Sequence, residues 1–285
     1  MSPLSPLNKL EELQKILASY GSCLVAYSGG VDSVFLAFIA HQVLGDKSLA
    51  VLADSPSLPR RELQEAVAVA GQFSIPLRIV RTEEFDNPAY LSNPNNRCYF
   101  CKHELFSHLA PLAREENFAI VAYGENASDL GDHRPGSQAA DEFQVRAPLK
   151  EAGLTKADIR GFSAQFGLPT ADKPQMACLS SRVPYGEPVT PEKLRMIEEA
   201  EYVLRDLGFY DVRVRHHEIK IQGRTAHLAR IEVGADEMPK FVIDGAFSRV
   251  AAALREIGYA HVTLDLQGYR RGSVNEVPPA AHLAV

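Results

Sequence analysis

The chain has 285 residues, 46% of them hydrophobic and 23% charged, and a net charge of −6. That balance belongs to a globular protein and excludes a disordered or fibrous one, and the length allows one large domain or two smaller ones. The acidic balance gives no global field to gather nucleic acid. No stretch approaches membrane-spanning length, and Met1–Lys9 lacks a basic segment followed by an apolar one, so a cytoplasmic protein without nucleic-acid or membrane partners is expected.

The predicted elements begin with a strand at Cys23–Tyr27, followed by Ser28-Gly29-Gly30-Val31-Asp32-Ser33 and a helix from Asp32 to Leu44. A strand at 49–53, a helix at 60–73, a strand at 77–80, a helix at 102–116 and a strand at 119–123 follow, with 143–148 as a fifth strand. Strands alternating with helices predict an α/β fold with a doubly wound parallel sheet, whose ligands sit at the carboxyl ends of the strands. Ser28–Ser33, Asp54-Ser55 and Gly124–Asp129 all fall on that edge. Thr155-Lys-Ala-Asp158 reads as a capping box with Asp in place of Glu, opening a helix to Phe166. Residues 171–190, rich in proline and small residues, read as a functional linker, and Thr190-Pro191 opens a helix to Leu207. From Tyr210 the pattern alternates (Val212, Val214, Ile219, Ile221, then Leu228, Ile231, Val233), with a helix at 245–257 and a strand at 261–266. The expected organisation is therefore a nucleotide-binding domain over 1–170, the linker, a small α+β substrate or oligomerisation domain over 191–271, and a disordered tail over 272–285. His216 and His217 read as surface residues.

The hexapeptide Ser28–Ser33 lies where a glycine-rich loop can hold phosphate. Its glycines let the backbone approach an anion, and the opening N–H groups of the next helix have no internal partner and lie at the positive end of its dipole. Ser28 and Ser33 add hydroxyl donors, and Asp32 can hold Mg²⁺ against the phosphates. The loop lacks the Lys-Ser/Thr of a Walker A motif. It resembles the pyrophosphate loop of the ATP pyrophosphatase superfamily. That resemblance implies cleavage of ATP between the α and β phosphates, adenylation of a carbonyl or carboxylate oxygen, and displacement of AMP by nitrogen or sulfur.

Four cysteines in a reducing compartment are candidates for metal or redox chemistry rather than disulfides. Cys98-Tyr-Phe-Cys101 is placed in the connection before the fourth strand and Cys178 in the linker, both in loops. Three thiolates leave one iron of a [4Fe–4S] cluster without a protein ligand, where external sulfide can bind. Structural zinc with His103 as fourth ligand, and a redox dithiol, are alternatives of equal standing from the residues alone. Cys23, inside an apolar strand, reads as a small buried hydrophobe.

Four further segments narrow the superfamily: Arg97–Lys102, Gly124–Gly136, Ala147–Lys156 and Asp172–Gly186, together with Val212-Arg-Val-Arg215 and Ala229-Arg-Ile-Glu-Val233. From about residue 8 to 270 the chain resembles the LarE family of ATP-dependent sulfur transferases, which build the nickel-pincer cofactor of lactate racemase. The resemblance implies that ATP adenylates the carboxylates of pyridinium-3,5-biscarboxylic acid mononucleotide and that sulfur then displaces AMP to give thiocarboxylates. One version of the family sacrifices the sulfur of a single cysteine matching Cys178. The other has three cysteines and carries sulfide, from a separate donor, on a cluster. Cys98, Cys101 and Cys178 place this chain with the second version. It departs from the expected pattern at Ala171, where an aromatic residue would supply a stacking surface.

On this reading Ser28, Gly29, Gly30, Asp32 and Ser33 hold the ATP phosphates and Mg²⁺. Asp54 and Ser55 contact ribose or adenine, or else cap a loop. Glu125, Asn126 and Asp129 complete the nucleotide site or hold Mg²⁺, with an Asx-turn as the plain alternative. Ser181 and Arg182 follow Cys178 closely and so lie near the transferred sulfur, Arg182 offering a planar fork to a carboxylate or phosphate. Arg213 and Arg215 share one face of a strand, either as a solvated face or as a clamp for the substrate phosphate, with Glu232 as a pairing partner. The expected cofactors are ATP, Mg²⁺ and a [4Fe–4S] cluster, in a homo-oligomer. A cluster-dependent tRNA thiolase and an amide-forming synthetase with structural zinc are the rival readings.

Overall fold

The computed structural model describes residues 5–129, 135–174, 177–243, 245–270 and 272–275. They form two units, Met1–Asn87 with Asn96–Met176, and Pro88–Asn95 with Ala177–Val285.

In the first unit, β1 (Cys23–Tyr27) is apolar at every position, as a strand covered on both faces must be. It pairs in parallel with β2 (Ser48–Asp54) on one side and β4 (Ile120–Tyr123) on the other. β3 (Leu77–Arg81) joins β2, giving the parallel order β3-β2-β1-β4. The connecting helices are α2 (Val31–Leu44), α3 (Arg60–Gln72) and α4 (Arg97–Glu115), so the doubly wound α/β class read from the sequence is the one observed. Cys23, Val25 and Leu52 face one core with α2, while Leu24 and Val51 face the other with Phe106 and Leu109 of α4. Helix α2 is nearly encased: Val34, Phe35, Leu36, Ile39 and Ala40 are all fully buried.

Three local expectations change. A helix not read from the sequence, α1 (Pro6–Tyr20), precedes β1. Ser5 caps it by accepting from the Asn8 amide, Pro6 opens it, and Leu10, Leu13, Leu17 and Tyr20 form its buried stripe. The fifth strand expected at 143–148 is reduced to a single bridge, Arg146 to Ala122. Gln144 has φ +55°, and Pro148 begins a short helical turn, so the chain leaves the sheet on both sides of Arg146. Helix α5 (Pro135–Glu142) precedes that segment, and the Thr155/Asp158 capping box opens α6 (Lys156–Gln165) as read, with Lys9 of α1 paired to Asp158 at 2.7 Å.

The second unit is built from α7 (Pro191–Asp206), β5 (Val212–Ile221), β6 (Arg224–Val233), α8 (Ala246–Ile257) and β7 (His261–Leu264). β5 and β6 are antiparallel and β7 runs parallel to β6. Val212, Val214, Ile231, Leu204 and Leu254 form its core. The expected linker is divided: 171–174 belongs to the first unit, where Lys173 reaches Glu62 of α3 at 2.5 Å, and 177–190 to the second. There the segment 88–95 joins it. Tyr90 hydrogen-bonds Ser180 through their hydroxyls at 2.8 Å, and the Asn93 amide donates to the carbonyls of Pro184 and Glu187 at 2.7 and 3.0 Å. The tail expected to be disordered from 272 begins as a turn instead, with Ser273 buried and its hydroxyl donating to Glu232. Residues 276–285 lie outside the described residues. No helix among the described residues is long and apolar enough to cross a membrane.

His216, expected at the surface, is fully buried, because β5 is covered on both faces from Val212 to His216. Its Nδ1 meets the Tyr259 hydroxyl at 3.2 Å and its Nε2 meets Nδ1 of His227 at 3.0 Å. Burial, helped by the charges of His227 and Lys193, lowers its pKa to about 3. The unfolded value is near 6.5, so the stability this ring carries is complete above pH 6.5 and is lost as pH falls toward 3. The loss is up to about 1.4 kcal/mol per pH unit. In urea unfolding compared at pH 7 and pH 5, His216→Gln should show a smaller drop than the wild type. Equal drops would mean that His216 does not set the acid sensitivity.

Candidate active site

The loop after β1 is held in shape before any ligand arrives. Gly29 has φ +71°, and a Cβ there would fall 2.6 Å from the Ala66 Cβ of α3, so glycine is required on two counts. The Ser33 hydroxyl accepts from the Ser28 amide at 3.0 Å and donates to the Gly30 carbonyl at 3.1 Å. Gly30 caps α2 without a side chain, which leaves the opening amides of the helix available to an anion. The Asp32 carboxylate is bridged, Oδ2 to Lys156 Nζ at 2.5 Å and Oδ1 to Asn126 Nδ2 at 3.3 Å. Lys156 carries no functional signal of its own in the sequence, although it ends one of the quoted segments.

Opposite the loop stands the end of β4. A Cβ on Gly124 would lie 3.1 Å from the Ser33 amide nitrogen, so the two strand ends are in contact. Between β1 and β4 the strand order reverses, and an open α/β sheet places its ligand crevice at such a point. A cleft opens there between Ser28–Ser33 on one wall and Lys102, Phe106, Tyr123 and Glu125 on the other. Glu125 accepts from the Tyr123 hydroxyl and from Ser137 at 3.2 Å, and lies 3.4 Å from Lys150. Burial would raise its pKa, but these hydrogen bonds and the Lys150 charge outweigh it and hold the carboxyl below the usual range. Lys102 Nζ lies 4.5 Å from the centre of the Tyr123 ring.

The other residues read as nucleotide ligands make bonds within the protein. Asn126 forms an Asx-turn, accepting from the Ser128 amide at 2.9 Å, while its own amide donates to Asp129 at 3.2 Å. Asp54 pairs with Arg60 at 2.5 Å, and the Ser55 hydroxyl accepts from the Ser57 amide at 3.1 Å. Ala171 is buried, with Arg160 donating to its carbonyl, and supplies no stacking surface.

The Cys98–Cys101 pair is not in a loop. It lies within the first five residues of α4, which starts five residues earlier than expected, at Arg97. Three residues apart, the two side chains share one helix face. Cys98 is exposed and Cys101 half-buried, and the helix N-terminus favours thiolates. Such a pair fits as two ligands of a metal centre. Cys178, half-buried, directly precedes a 3₁₀ turn, Leu179–Arg182. Among the described residues no three His, Cys, Asp or Glu side chains are gathered closely enough to hold a single metal ion. Cys23 is fully buried and burial raises its pKa to about 12, as suits an inert core residue.

Arg182, expected to meet a substrate anion, turns inward. It is fully buried, donating to Glu201 at 2.8 and 3.1 Å and to the carbonyls of Ala177 and Cys178 at 2.7 and 3.1 Å. Burial would lower its pKa, but the charge and hydrogen bonds of Glu201 raise it. Its partners are protein atoms, so it shapes the turn after Cys178. Arg213 and Arg215 are buried too, not a solvated face. Arg215 grips Glu232 at 2.9 Å, as expected of that pair, and donates to the Ser181 carbonyl at 3.1 Å, while Arg213 lies over the Tyr269 ring at 4.7 Å. Burial and the neighbouring Arg182 charge lower the Arg213 pKa.

Comparison with known proteins agrees with this geometry. The NAD synthase family model matches residues 9–95. The pyridinium-3,5-bisthiocarboxylic acid mononucleotide synthase of Lactiplantibacillus plantarum is 32% identical over 276 residues, 96% of this chain and 94% of its own. The chain belongs to the LarE family. As a LarE-family protein it is an ATP-dependent enzyme, a sulfurtransferase. An uncharacterised protein of Synechocystis sp. is 44% identical over 95% of this chain and 98% of its own length. The glutamine-hydrolysing GMP synthase of Rippkaea orientalis is 26% identical over 69% of this chain and 41% of its own length.

Two outcomes follow for this LarE-family chain. Gly29→Ala should lower pyrophosphate release by about a hundredfold or more, because a Cβ there collides with Ala66 and the loop must move. Unchanged release would show that the loop tolerates a Cβ. Arg182→Met should cost about 3–5 kcal/mol in chemical denaturation by leaving Glu201 charged and buried, and Arg182→Met with Glu201→Met should recover most of that loss.

Proposed function

We propose that this enzyme uses Mg-ATP to adenylate the carboxylates of pyridinium-3,5-biscarboxylic acid mononucleotide and converts them to thiocarboxylates for the nickel-pincer cofactor of lactate racemase. The observation that carries the proposal is the colinear match, over 96% of the chain, to a synthase named for that product. A substrate carboxylate oxygen attacks the α-phosphorus, and the bond to the β-phosphate breaks with release of pyrophosphate. A sulfur nucleophile then attacks the acyl carbon, and AMP leaves with the bridging oxygen. The second carboxylate follows the same course.

In this scheme the backbone of Ser28–Gly30 and the opening amides of α2 hold the departing pyrophosphate, with the hydroxyls of Ser28 and Ser33 beside them. Asp32, steadied by Asn126, would hold Mg²⁺, and Lys156, bonded to Asp32, would pair with a phosphate. Arg215, bonded to the Ser181 carbonyl, and Arg213 on the same strand would lend positive charge to the phosphate of the mononucleotide.

Cys98, Cys101 and Cys178 would hold a [4Fe–4S] cluster, which when bound supplies sulfide at the iron that has no protein ligand. The accessible pair at the start of α4 supports it, since two thiolates on one helix face suit ligation. Protein purified without oxygen should carry about four irons and at least as many acid-labile sulfides per chain. Replacing any of the three cysteines by alanine should remove them and abolish thiocarboxylate formation while leaving acceptor-dependent pyrophosphate release. One zinc and no iron would sink the cluster, and pyrophosphate release indifferent to the pyridinium carboxylate would sink the substrate.

A further inference from the structure

We infer that the wall of the cleft made by α4 and the end of β4 seats the acceptor ring: Tyr123 takes its face, Lys102 pairs with a ring carboxylate, and Glu125 faces the ring's positive charge. The inference rests on the function proposed above and goes past it by naming the residues that recognise an N-alkylated pyridine carboxylate.

The two walls of the cleft differ in kind. The loop wall offers backbone amides, glycines and hydroxyls, the equipment for phosphate. The facing wall offers an aromatic ring, an ammonium lying over it and a carboxylate that is 8% exposed and held ionised by Tyr123, Ser137 and Lys150. Unlike the loop wall it joins an aromatic face to a carboxylate, Glu125, paired with Lys150, and a carboxylate beside a ring face suits a flat cation. A quaternary pyridinium carries its positive charge in a flat ring, which suits an aromatic face beside a carboxylate.

The Tyr123 ring already receives a cation, the Lys102 ammonium at 4.5 Å. It is also immobilised: its hydroxyl is tied to Glu125, and Phe106, almost fully buried, meets its edge at a centroid distance of 6.0 Å and an interplanar angle of 73°. Lys102, on a flexible four-carbon stem, can leave the ring when the substrate's ring arrives and turn to one of its carboxylates. That carboxylate then lies in the same cleft as the α-phosphorus it must attack. The attack needs no proton transfer, since the carboxylate is already ionised and the charge leaves with pyrophosphate.

The test is steady-state kinetics on the metal-loaded, full-length enzyme, with pyridinium-3,5-biscarboxylic acid mononucleotide and ATP varied separately. Lys102→Met and Tyr123→Leu should each raise KM for the mononucleotide by about tenfold or more, the loss of one charged or ring contact, and leave KM for ATP unchanged. Tyr123→Phe, which keeps the ring but loses the hydroxyl bond to Glu125, should raise that KM less than Tyr123→Leu does. Because Lys102 adjoins Cys101, metal content and melting temperature equal to wild type are part of the supporting result. Should Lys102→Met lose the cluster or the fold, Lys102→Gln and Tyr123→Leu carry the same comparison. A rise in KM for ATP alone would hand this wall to the nucleotide and overturn the inference, as would an unchanged KM for the mononucleotide in every variant. A wild-type enzyme that does not turn over the mononucleotide would overturn the proposed function itself, a result distinct from either.

Discussion

The first turn of α2 is a fixed point because the helix behind it has almost no solvent face. Val34, Phe35, Leu36, Ile39 and Ala40 are all packed away, so the helix cannot tilt or slide without opening the core of the first unit. Its amides therefore hold one position, and the neighbours of that position are fixed in turn. Ala66 of α3 leaves no room for a side chain at Gly29, and Gly124 brings the end of β4 against Asp32 and Ser33. An anion-binding turn that stays still without its ligand loses little ordering entropy when the ligand arrives. The charges follow the same economy of motion: Lys156 and Asn126 hold the Asp32 carboxylate from both of its oxygens.

In the second unit the corresponding constraint is electrostatic. Arg182 and Glu201 are both buried, and a buried pair of this kind adds little net stability, while separating its partners is costly. Such a pair acts mainly on conformation. Arg182 also gathers the carbonyls of Ala177 and Cys178, so the backbone around the cysteine has one arrangement that satisfies the charge. Arg215, bonded to Glu232 and to the Ser181 carbonyl, fastens the far end of the same turn.

Much of this is legible in the sequence where burial is two-sided and local. Cys23–Tyr27 reads as an apolar run because it is covered on both faces, and the glycine loop follows it directly. The misreadings share a physical origin. Arg213 and Arg215 alternate with valines, which ordinarily marks a wet face, yet the turn at 179–182 and the segment through Ser273 cover that face from elsewhere in the chain, while His216 lies on the valine face against Tyr259. Cysteines and aromatics are middling helix formers, so the pattern puts the start of α4 after the C-x-x-C instead of before it. Helix α1 hides its stripe behind an irregular, proline-rich beginning. Lys156 meets Asp32 across 124 residues, and no local pattern announces a contact of that range.

The path of the chain between the units has an evolutionary corollary. The polypeptide passes from the first unit to the second at Pro88, returns at Asn96, and passes over again at Ala177. Neither unit is a continuous stretch of gene. The short excursion carries Tyr90 and Asn93, both almost wholly buried among partners encoded some ninety residues later. A crossover that exchanged everything after residue 176 for the matching part of a distant relative would leave those two side chains facing a foreign surface. The halves of this protein are thereby bound to vary together, and a designer who wishes to graft a new second unit onto the ATP-binding one must transplant Pro88–Asn95 with it.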